Sequence, residues 1–119
     1  MTTRQIAERL VTLCRAGQFV EAIRELYAPD VRQSENGAAP GTGRDQLAQA
    51  CQGWLDSRVL HGMELLGVHV ADDSFVLELR YDLTPHATNE RLQWCEAAVY
   101  RVRDGRISDV RFYYKPPAA

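Results

Sequence analysis

Apolar and polar residues alternate most regularly between positions 75 and 84. Within that segment, apolar side chains recur at every second position: Phe75, Leu77, Leu79, Tyr81 and Leu83. A period of two predicts a β-strand, because successive side chains of a strand point to opposite faces of the sheet. Further long strands are predicted over residues 61–71, 90–103 and 107–114, and the last two are joined by a tight Asp-Gly turn.

Helical periodicity dominates the first part of the chain. Ile6, Leu10 and Leu13 recur at helical spacing and predict a helix over residues 3–16, which Gly17 ends as a C-terminal cap. The other predicted elements are a helix over residues 18–26, a short strand over 31–35, a loop over 36–43, a helix over 44–57 and a tail over 115–119.

Helices therefore come first and adjacent long strands follow, which predicts an α+β fold and argues against parallel βαβ units. With 119 residues the chain is expected to form one domain, residues 1–119. A strongly twisted, mostly antiparallel sheet with one apolar face is expected to wrap around the N-terminal helices.

Charge and composition exclude several partner classes. The net charge is −2, the charges are interspersed, and Lys115 is the single lysine. Nucleic-acid and membrane-surface binding therefore have no electrostatic support. No apolar run approaches the roughly 20 residues that span a membrane, and residues 1–5 lack the apolar stretch of a signal peptide. We expect a cytoplasmic protein.

The cysteines, Cys14, Cys51 and Cys95, are odd in number and widely spaced. This spacing argues against both a disulfide framework and a zinc site. All three lie in apolar patterns and are expected to be reduced, buried, small hydrophobic side chains. No phosphate loop, nucleotide motif or Ser-His-Asp set is recognisable, so neither a metal nor a cofactor is predicted.

The strand over residues 90–103 carries an unusual carboxylate. Trp94, Glu96, Ala98 and Tyr100 share one face of this strand, so Glu96 lies within an otherwise apolar stripe. An ionised group is costly there unless the site uses or satisfies it. Glu96 is therefore a candidate functional residue.

Several local motifs, in order along the whole chain, resemble one family. They are Ala16-Gly17, Leu26-Tyr27-Ala28-Pro29-Asp30-Val31, Gly43-Arg44-Asp45-Gln46-Leu47 and Val99-Tyr100-Arg101-Val102-Arg103-Asp104-Gly105-Arg106-Ile107. The chain resembles the nuclear transport factor 2-like superfamily, in its SnoaL-like and ketosteroid-isomerase-like branch. The resemblance implies a cone, in which a curved sheet encloses a pocket that helices cap. Members include isomerases, dehydratases, cyclases, epoxide hydrolases and non-catalytic binding domains, so the fold leaves the function open.

Only part of the catalytic machinery of ketosteroid isomerase has a counterpart in this sequence. The general-base aspartate of that enzyme falls on Glu35, whereas its two oxyanion donors fall on Leu10 and Ala98, which cannot donate. Glu96 lies one pleat from Ala98 on the same face and could supply a carboxyl group to the same cavity. True steroid isomerisation is therefore not expected.

A resemblance to limonene epoxide hydrolase also fails on strand parity. Arg80-Tyr81-Asp82 looks like the Arg-x-Asp of that enzyme, but the ungapped alignment puts its catalytic pair on Leu79 and Tyr81. Its further catalytic aspartate falls on Phe112. Arg80 and Asp82 are expected on the polar face, away from the pocket.

Glu35 and Glu96 are the candidate catalytic pair. Two carboxyl groups in an apolar cavity can diverge in pKa, so that one acts as acid and the other as base. The alternative is that Glu35 lies in solvent beside the glycine-rich loop and that a buried Arg or Tyr neutralises Glu96.

The resemblance places Tyr81, Phe112 and Tyr114 on the pocket side of their strands. The full candidate ligand-binding set around this pair is Trp54, His61, Tyr81, Trp94, Tyr100, Phe112 and Tyr114. Aromatic side chains line pockets for flat apolar ligands, although plain core packing is the alternative interpretation. His61 is placed at the pocket rim as a possible base, with a surface or capping histidine as the alternative.

Two functions remain open from the sequence. The first is a cofactor-independent isomerase, cyclase or dehydratase that binds a small apolar carbonyl compound and moves a proton with Glu35 and Glu96. The second is a non-catalytic ligand-binding or dimerisation module of the same fold. In either case the resemblance implies a homodimer formed through the outer face of the sheet.

Overall fold

The computed structural model describes residues 1–115, so the predicted tail lies outside the described residues from position 116 onward. The elements in chain order are α1 (Thr3–Arg15), α2 (Phe19–Leu26), β1 (Tyr27–Glu35), β2 (Gly41–Thr42), α3 (Arg44–Asp56), β3 (Arg58–Val70), β4 (Ser74–Pro85), β5 (Leu92–Arg103) and β6 (Arg106–Tyr114).

The six strands form one curved, unclosed sheet in the order β2-β1-β6-β5-β4-β3. Every neighbouring pair is antiparallel except β1 and β6, which are parallel. The three helices pack against its apolar face, and the core includes Ile6, Leu10, Phe75 and Leu77. The predicted α+β cone with a mostly antiparallel sheet is confirmed.

Helix α1 begins and ends where its sequence dictates. The Thr2 hydroxyl accepts the Gln5 backbone N–H at 3.2 Å, and the Gln5 side-chain oxygen accepts the Thr2 backbone N–H at 2.8 Å. This capping box satisfies two N–H groups that the first turn leaves free. At the other end Gly17 has φ +76°, which lets Gln18 N–H reach the Leu13 carbonyl at 2.8 Å.

The hairpin of β5 and β6 forms the wall that carries Glu96. Asp104 and Gly105 both have positive φ, at 53° and 74°, as a two-residue hairpin turn requires. The turn pairs Arg103 with Arg106 and Val102 with Ile107, and an irregularity beside Arg101 then shifts the register by one residue, so that Ala98 pairs with Phe112 and Glu96 with Tyr114. The side chains of alternate residues on both strands then face the helices.

Strands β1 and β2 differ most from the sequence prediction, and β3 begins at Arg58 instead of position 61. Strand β1 begins at Tyr27 instead of position 31, and its register against β6 shifts between Tyr27 and Arg32. Pro29, which has no N–H to donate, lies within this irregular stretch. The expected loop contains the two-residue strand β2, which pairs with Arg32 and Gln33 of β1.

Candidate functional site

A pocket of about 300 Å³ lies between the helices and the concave face of the sheet. Helices α1, α2 and α3 supply apolar lining such as Leu10, Ile23 and Ala50, and the strands supply the polar groups. Its volume is at the lower end of the range for small-molecule sites. The pocket brings together Glu35, Glu96 and six of the seven predicted ligand-binding residues.

Aromatic rings form a continuous row along one wall. Trp54 meets Tyr81 edge-on with ring centroids 5.9 Å apart, and Tyr81 lies 5.9 Å from Trp94. Trp94 is in turn 6.3 Å from Tyr114. These four rings come from α3, β4, β5 and β6, so the row crosses the sheet from one strand to the next.

Glu96 lies on this wall, half-buried, and accepts a hydrogen bond from the Trp94 indole nitrogen at 3.1 Å. Burial raises the pKa of Glu96 to about 7, and the nearby Glu35 adds to the rise, while the Trp94 hydrogen bond opposes it. The carboxyl group is therefore about equally protonated and ionised at neutral pH. Such a group can donate or accept a proton without a large penalty.

Glu35 lies at the more open end of the pocket, at the end of β1. The Tyr114 hydroxyl donates to a Glu35 carboxylate oxygen at 3.2 Å. Because β1, β6 and β5 are consecutive strands, Glu35, Tyr114 and Glu96 lie side by side across the sheet. The two carboxyl groups thus face one cavity from strands that are separated by a single strand.

The pocket lining also includes two buried phenols, Tyr27 and Tyr100. Burial raises the pKa of both phenols well above the ordinary value. Leu10 lines the same pocket and Ala98 is fully buried, so neither position offers a hydrogen-bond donor.

His61 does not line the pocket, contrary to its predicted place at the rim. Strand β3 has a bulge between Leu60 and Gly62, in which His61 is the extra residue without a partner on β4. The bulge shifts the alternation of side chains along β3. His61 is exposed, and its Nε2 lies 2.7 Å from the Thr84 hydroxyl on the outer face of the sheet. Plain alternation could not have anticipated the bulge.

The outer face carries the charged residues that parity assigned to it. Arg80 pairs with Glu64 at 2.9 Å, and Arg91 pairs with Asp82 at 2.7 Å. Leu79 and Tyr81 line the pocket instead, which confirms the predicted orientation of β4. Within residues 1–115, no group of three or more His, Cys, Asp or Glu side chains is arranged to hold a metal ion.

Cys95 corrects the expectation that all three thiols are buried. It lies on the outer face of β5, opposite Arg80, and is exposed. Cys14 and Cys51 are partly buried and line the pocket from α1 and α3. Burial raises the pKa of Cys14 to about 12 and that of Cys51 to about 11, which makes both thiols poor nucleophiles.

Two polar lining residues were not predicted from the sequence, Tyr27 and Gln33. Both belong to β1, which the sequence prediction began four residues too late. Gln33 has the same parity as Glu35, so the alternation of β1 would have indicated it once Glu35 was chosen. Tyr27 follows α2 directly and carried no comparable signal.

The comparisons with known proteins agree with this architecture. A family model described as a SnoaL-like domain matches residues 7–110. A protein from Mesorhizobium loti, named as a SnoaL-like polyketide cyclase, is 33% identical and superposes with a TM-score of 0.89, over 96% of this chain and 100% of that one. None of the curated proteins matches the sequence.

More distant structures share the fold alone. A protein from Catenulispora acidiphila with a ketosteroid isomerase-like fold, solved in complex with trimethylamine, is 21% identical with a TM-score of 0.77 over 96% of this chain and 88% of that one. An epoxide hydrolase from M. tuberculosis is 15% identical with a TM-score of 0.74 over 93% of this chain and 80% of that one. In residues 1–115, no helix has the length and apolar character needed to cross a membrane. On the family match and the Mesorhizobium loti relative, the chain belongs to the SnoaL-like family of the nuclear transport factor 2-like superfamily.

Proposed function

We propose that this protein binds a small, largely apolar carbonyl compound and moves a proton on it without a cofactor, as an isomerase, cyclase or dehydratase. The observation that carries the proposal is Glu96, a half-buried carboxyl with a pKa of about 7 that faces the same pocket as Glu35. General acid–base catalysis works best when the pKa of the catalytic group lies near the working pH.

The two carboxyl groups take different roles in this scheme. Protonated Glu96 donates to the carbonyl oxygen, while the Glu35 carboxylate removes a proton from the neighbouring carbon. The C–H bond breaks, its electron pair forms the enol double bond, and the Glu96 proton ends on oxygen. In an isomerisation, the enol oxygen returns its proton to Glu96 as the carbonyl re-forms, and Glu35 delivers the proton that it removed to a different carbon of the conjugated system. In a cyclisation, the enol carbon attacks a second carbonyl, the enol oxygen returns its proton to Glu96, and the new alkoxide takes the proton from Glu35.

A non-catalytic binding module is the second candidate. The observation in its favour is that Leu10 and Ala98 replace both oxyanion donors of ketosteroid isomerase. Stabilisation of a developing oxyanion is commonly the largest catalytic term, so its loss weakens the case for fast turnover. In this reading the pocket holds its ligand and nothing reacts.

Hydrogen–deuterium exchange of a carbon acid distinguishes the two candidates without knowledge of the substrate. We expect the protein to accelerate exchange of the α-protons of 2-tetralone in D₂O, followed by ¹H NMR. Glu35→Gln and Glu96→Gln should each lower the protein-dependent rate by about 100-fold, the usual contribution of one general acid or base. Glu64→Gln, on the outer face, is the matched control and should leave the rate unchanged.

Saturable binding of the ketone with no acceleration of exchange would support the non-catalytic module. Exchange that is equally fast in Glu35→Gln and Glu96→Gln would contradict the roles proposed for both residues. A loss of exchange in Glu64→Gln would point to a general effect of removing charge and would also count against the proposal.

We further propose that the protein is a homodimer through the outer face of the sheet. Small or apolar residues there form a shallow depression that includes Leu66, Cys95, Ala97 and Tyr113. Leu66 of the edge strand β3 and Tyr113 of the interior strand β6 are 44% and 45% exposed, so two large apolar side chains lie open to solvent on this face. A second copy that packs around a two-fold axis would cover both residues.

A cytoplasmic location is proposed from the cysteines. Cys95 is an exposed free thiol, and Cys14 and Cys51 are also unpaired. An exposed free thiol persists in a reducing compartment and is readily oxidised outside it. Thiol-specific labelling of the protein within intact cells tests this location.

A further inference from the structure

The charged side chains that line the pocket are all acidic. Glu35 and Glu96 are the charged lining residues, and no Lys, Arg or His of residues 1–115 lines the cavity. The guanidinium of Arg58 stacks on the Trp54 ring at 4.3 Å, but it lies outside the lining. It is held there by the Trp54 carbonyl at 2.7 Å and the Ser57 hydroxyl at 3.0 Å.

The aromatic wall adds to the same preference. Trp94 lies between Tyr81 and Tyr114 in the row of rings, beside the carboxyl group of Glu96. The faces of aromatic rings carry negative electrostatic potential and attract cations, most strongly on tryptophan. The Tyr114 hydroxyl directs its proton at Glu35, so it does not offer that proton to an anion in the pocket.

We infer that the occupant of this pocket is an organic cation, a hydrophobic amine in its protonated or quaternary form. Its ammonium group lies between Glu35 and Glu96 against the face of Trp94, and its apolar body extends toward Ile23 and Ala50 of the helices. The inference rests on the proposed function only in that the pocket must hold a small organic molecule.

The groups around Glu96 imply that the affinity for a cation depends on pH. The titratable groups that face the Glu96 carboxyl are Glu35 of β1, Tyr81 of β4, Tyr100 of β5 itself and Tyr114 of β6. The titratable lining residues from α1 and α3 are Cys14 and Cys51. All of them are neutral or negative near pH 7, so nothing within the pocket neutralises the ionised form. A bound cation would do so, and its affinity should therefore rise as the pH rises through about 7.

Three probes of similar size and different charge test the inference. They are benzyltrimethylammonium, its uncharged carbon isostere neopentylbenzene, and the anion 3-phenylpropionate, each titrated against the full chain and followed by protein NMR. We expect benzyltrimethylammonium to bind about tenfold more tightly than either other probe at pH 8, from cation–π attraction and the two carboxylates. Its affinity should fall at pH 6, where Glu96 is protonated.

Two variants assign the binding to the pocket. Glu96→Gln should weaken benzyltrimethylammonium binding at pH 8 to the level seen at pH 6 and remove the pH dependence, whereas Glu64→Gln should change neither. Ala50→Trp places a large side chain at a lining position on the solvent side of α3 and should block the cation. Because Glu96→Gln does not alter the shape of the pocket, it tests the inference even where Ala50→Trp fails to fold.

Neopentylbenzene or 3-phenylpropionate binding as tightly as the cation would overturn the inference and leave the proposed carbonyl ligand standing. Failure of all three probes to bind would overturn the inference alone, because the proposed function is tested separately by the exchange of 2-tetralone. Cation binding that survives in both Glu96→Gln and Ala50→Trp would mean association elsewhere on the surface, and would likewise overturn it.

Discussion

Glu96 accepts a hydrogen bond at 3.1 Å from the indole nitrogen of Trp94, two residues earlier on the same face of β5. The pair follows directly from the period of a strand, which brings alternate side chains to one face. The bond stabilises the ionised carboxylate, while burial and Glu35 favour the neutral acid. The balance between these effects places the pKa of Glu96 at about 7.

Removal of the Trp94 donor should raise this pKa further. Trp94→Phe keeps an aromatic ring but has no N–H, so the ionised form of Glu96 loses its hydrogen bond. We expect a higher pKa for Glu96 in Trp94→Phe than in the wild type, measured by the pH titration of its ¹³C carboxyl resonance. Trp54→Phe, in the same aromatic row without a bond to Glu96, should leave the pKa where it is.

Stability should depend on pH through the same residue. The pKa of Glu96 is about 7 in the folded chain against 4.5 for an ordinary glutamate, so the folded state binds more protons between these values. The free energy of unfolding should therefore fall as the pH rises from about 4.5 to about 7, by up to about 3 kcal/mol in total.

Glu96→Gln carries a side chain that stays neutral and should lose this component of the pH dependence. In urea unfolding at pH 8 the variant should be more stable than the wild type, and the two should converge at pH 4. Equal slopes of stability against pH in both proteins would mean that Glu96 is not the group responsible.

The three cysteines should react at very different rates. Cys95 is exposed, whereas burial raises the pKa of Cys14 and Cys51 far above neutrality, and the thiolate is the reactive form. At pH 7.4 a disulfide reagent such as Ellman's should label one thiol rapidly and the other two only after denaturation. Cys95→Ser should abolish the rapid phase, and a rapid phase that persists would contradict the exposure of Cys95.

Charge placed on the outer face should separate the proposed homodimer. Ala97 lies on the outer face of β5, opposite Tyr113 of β6. Two copies of Ala97→Glu would bring like charges together in an apolar interface, so we expect a monomer by light scattering coupled to gel filtration. Val59→Glu is a control at an exposed outer position of the edge strand β3. A wild-type protein that elutes as a monomer would overturn the dimer.

Regular alternation made much of the fold predictable. The pattern of β4 was strict enough to orient Tyr81 inward and Arg80 outward, and the Asp-Gly turn predicted the β5–β6 hairpin. Parity within β5 led to Glu96, whereas the family resemblance led to Tyr114, and the structure brings both side chains to one cavity. The orientation of β4 and of Glu96 needed only local sequence, because the period of an uninterrupted strand is fixed.

Irregular backbone was not predictable in the same way. The bulge in β3 moved His61 to the outer face, and the local signal for it was Gly62, because a glycine within a strand often marks a bulge. The parallel pairing of β1 with β6 depends on contacts between distant segments, so the early start of β1 at Tyr27 carried no local signal. Cys95 was placed inside because its type is usually buried, although its parity with Arg101 indicated the outer face.

The pH dependence of α-proton exchange in 2-tetralone, compared between wild type and Glu96→Gln, tests the central claim most directly. If protonated Glu96 is the general acid, the wild-type rate should fall as the pH rises above about 7. This descending limb should be absent from Glu96→Gln, whose rate should be lower at every pH below 7. A wild-type rate that is flat or rises through pH 7, or a descending limb that survives in Glu96→Gln, would contradict the claim.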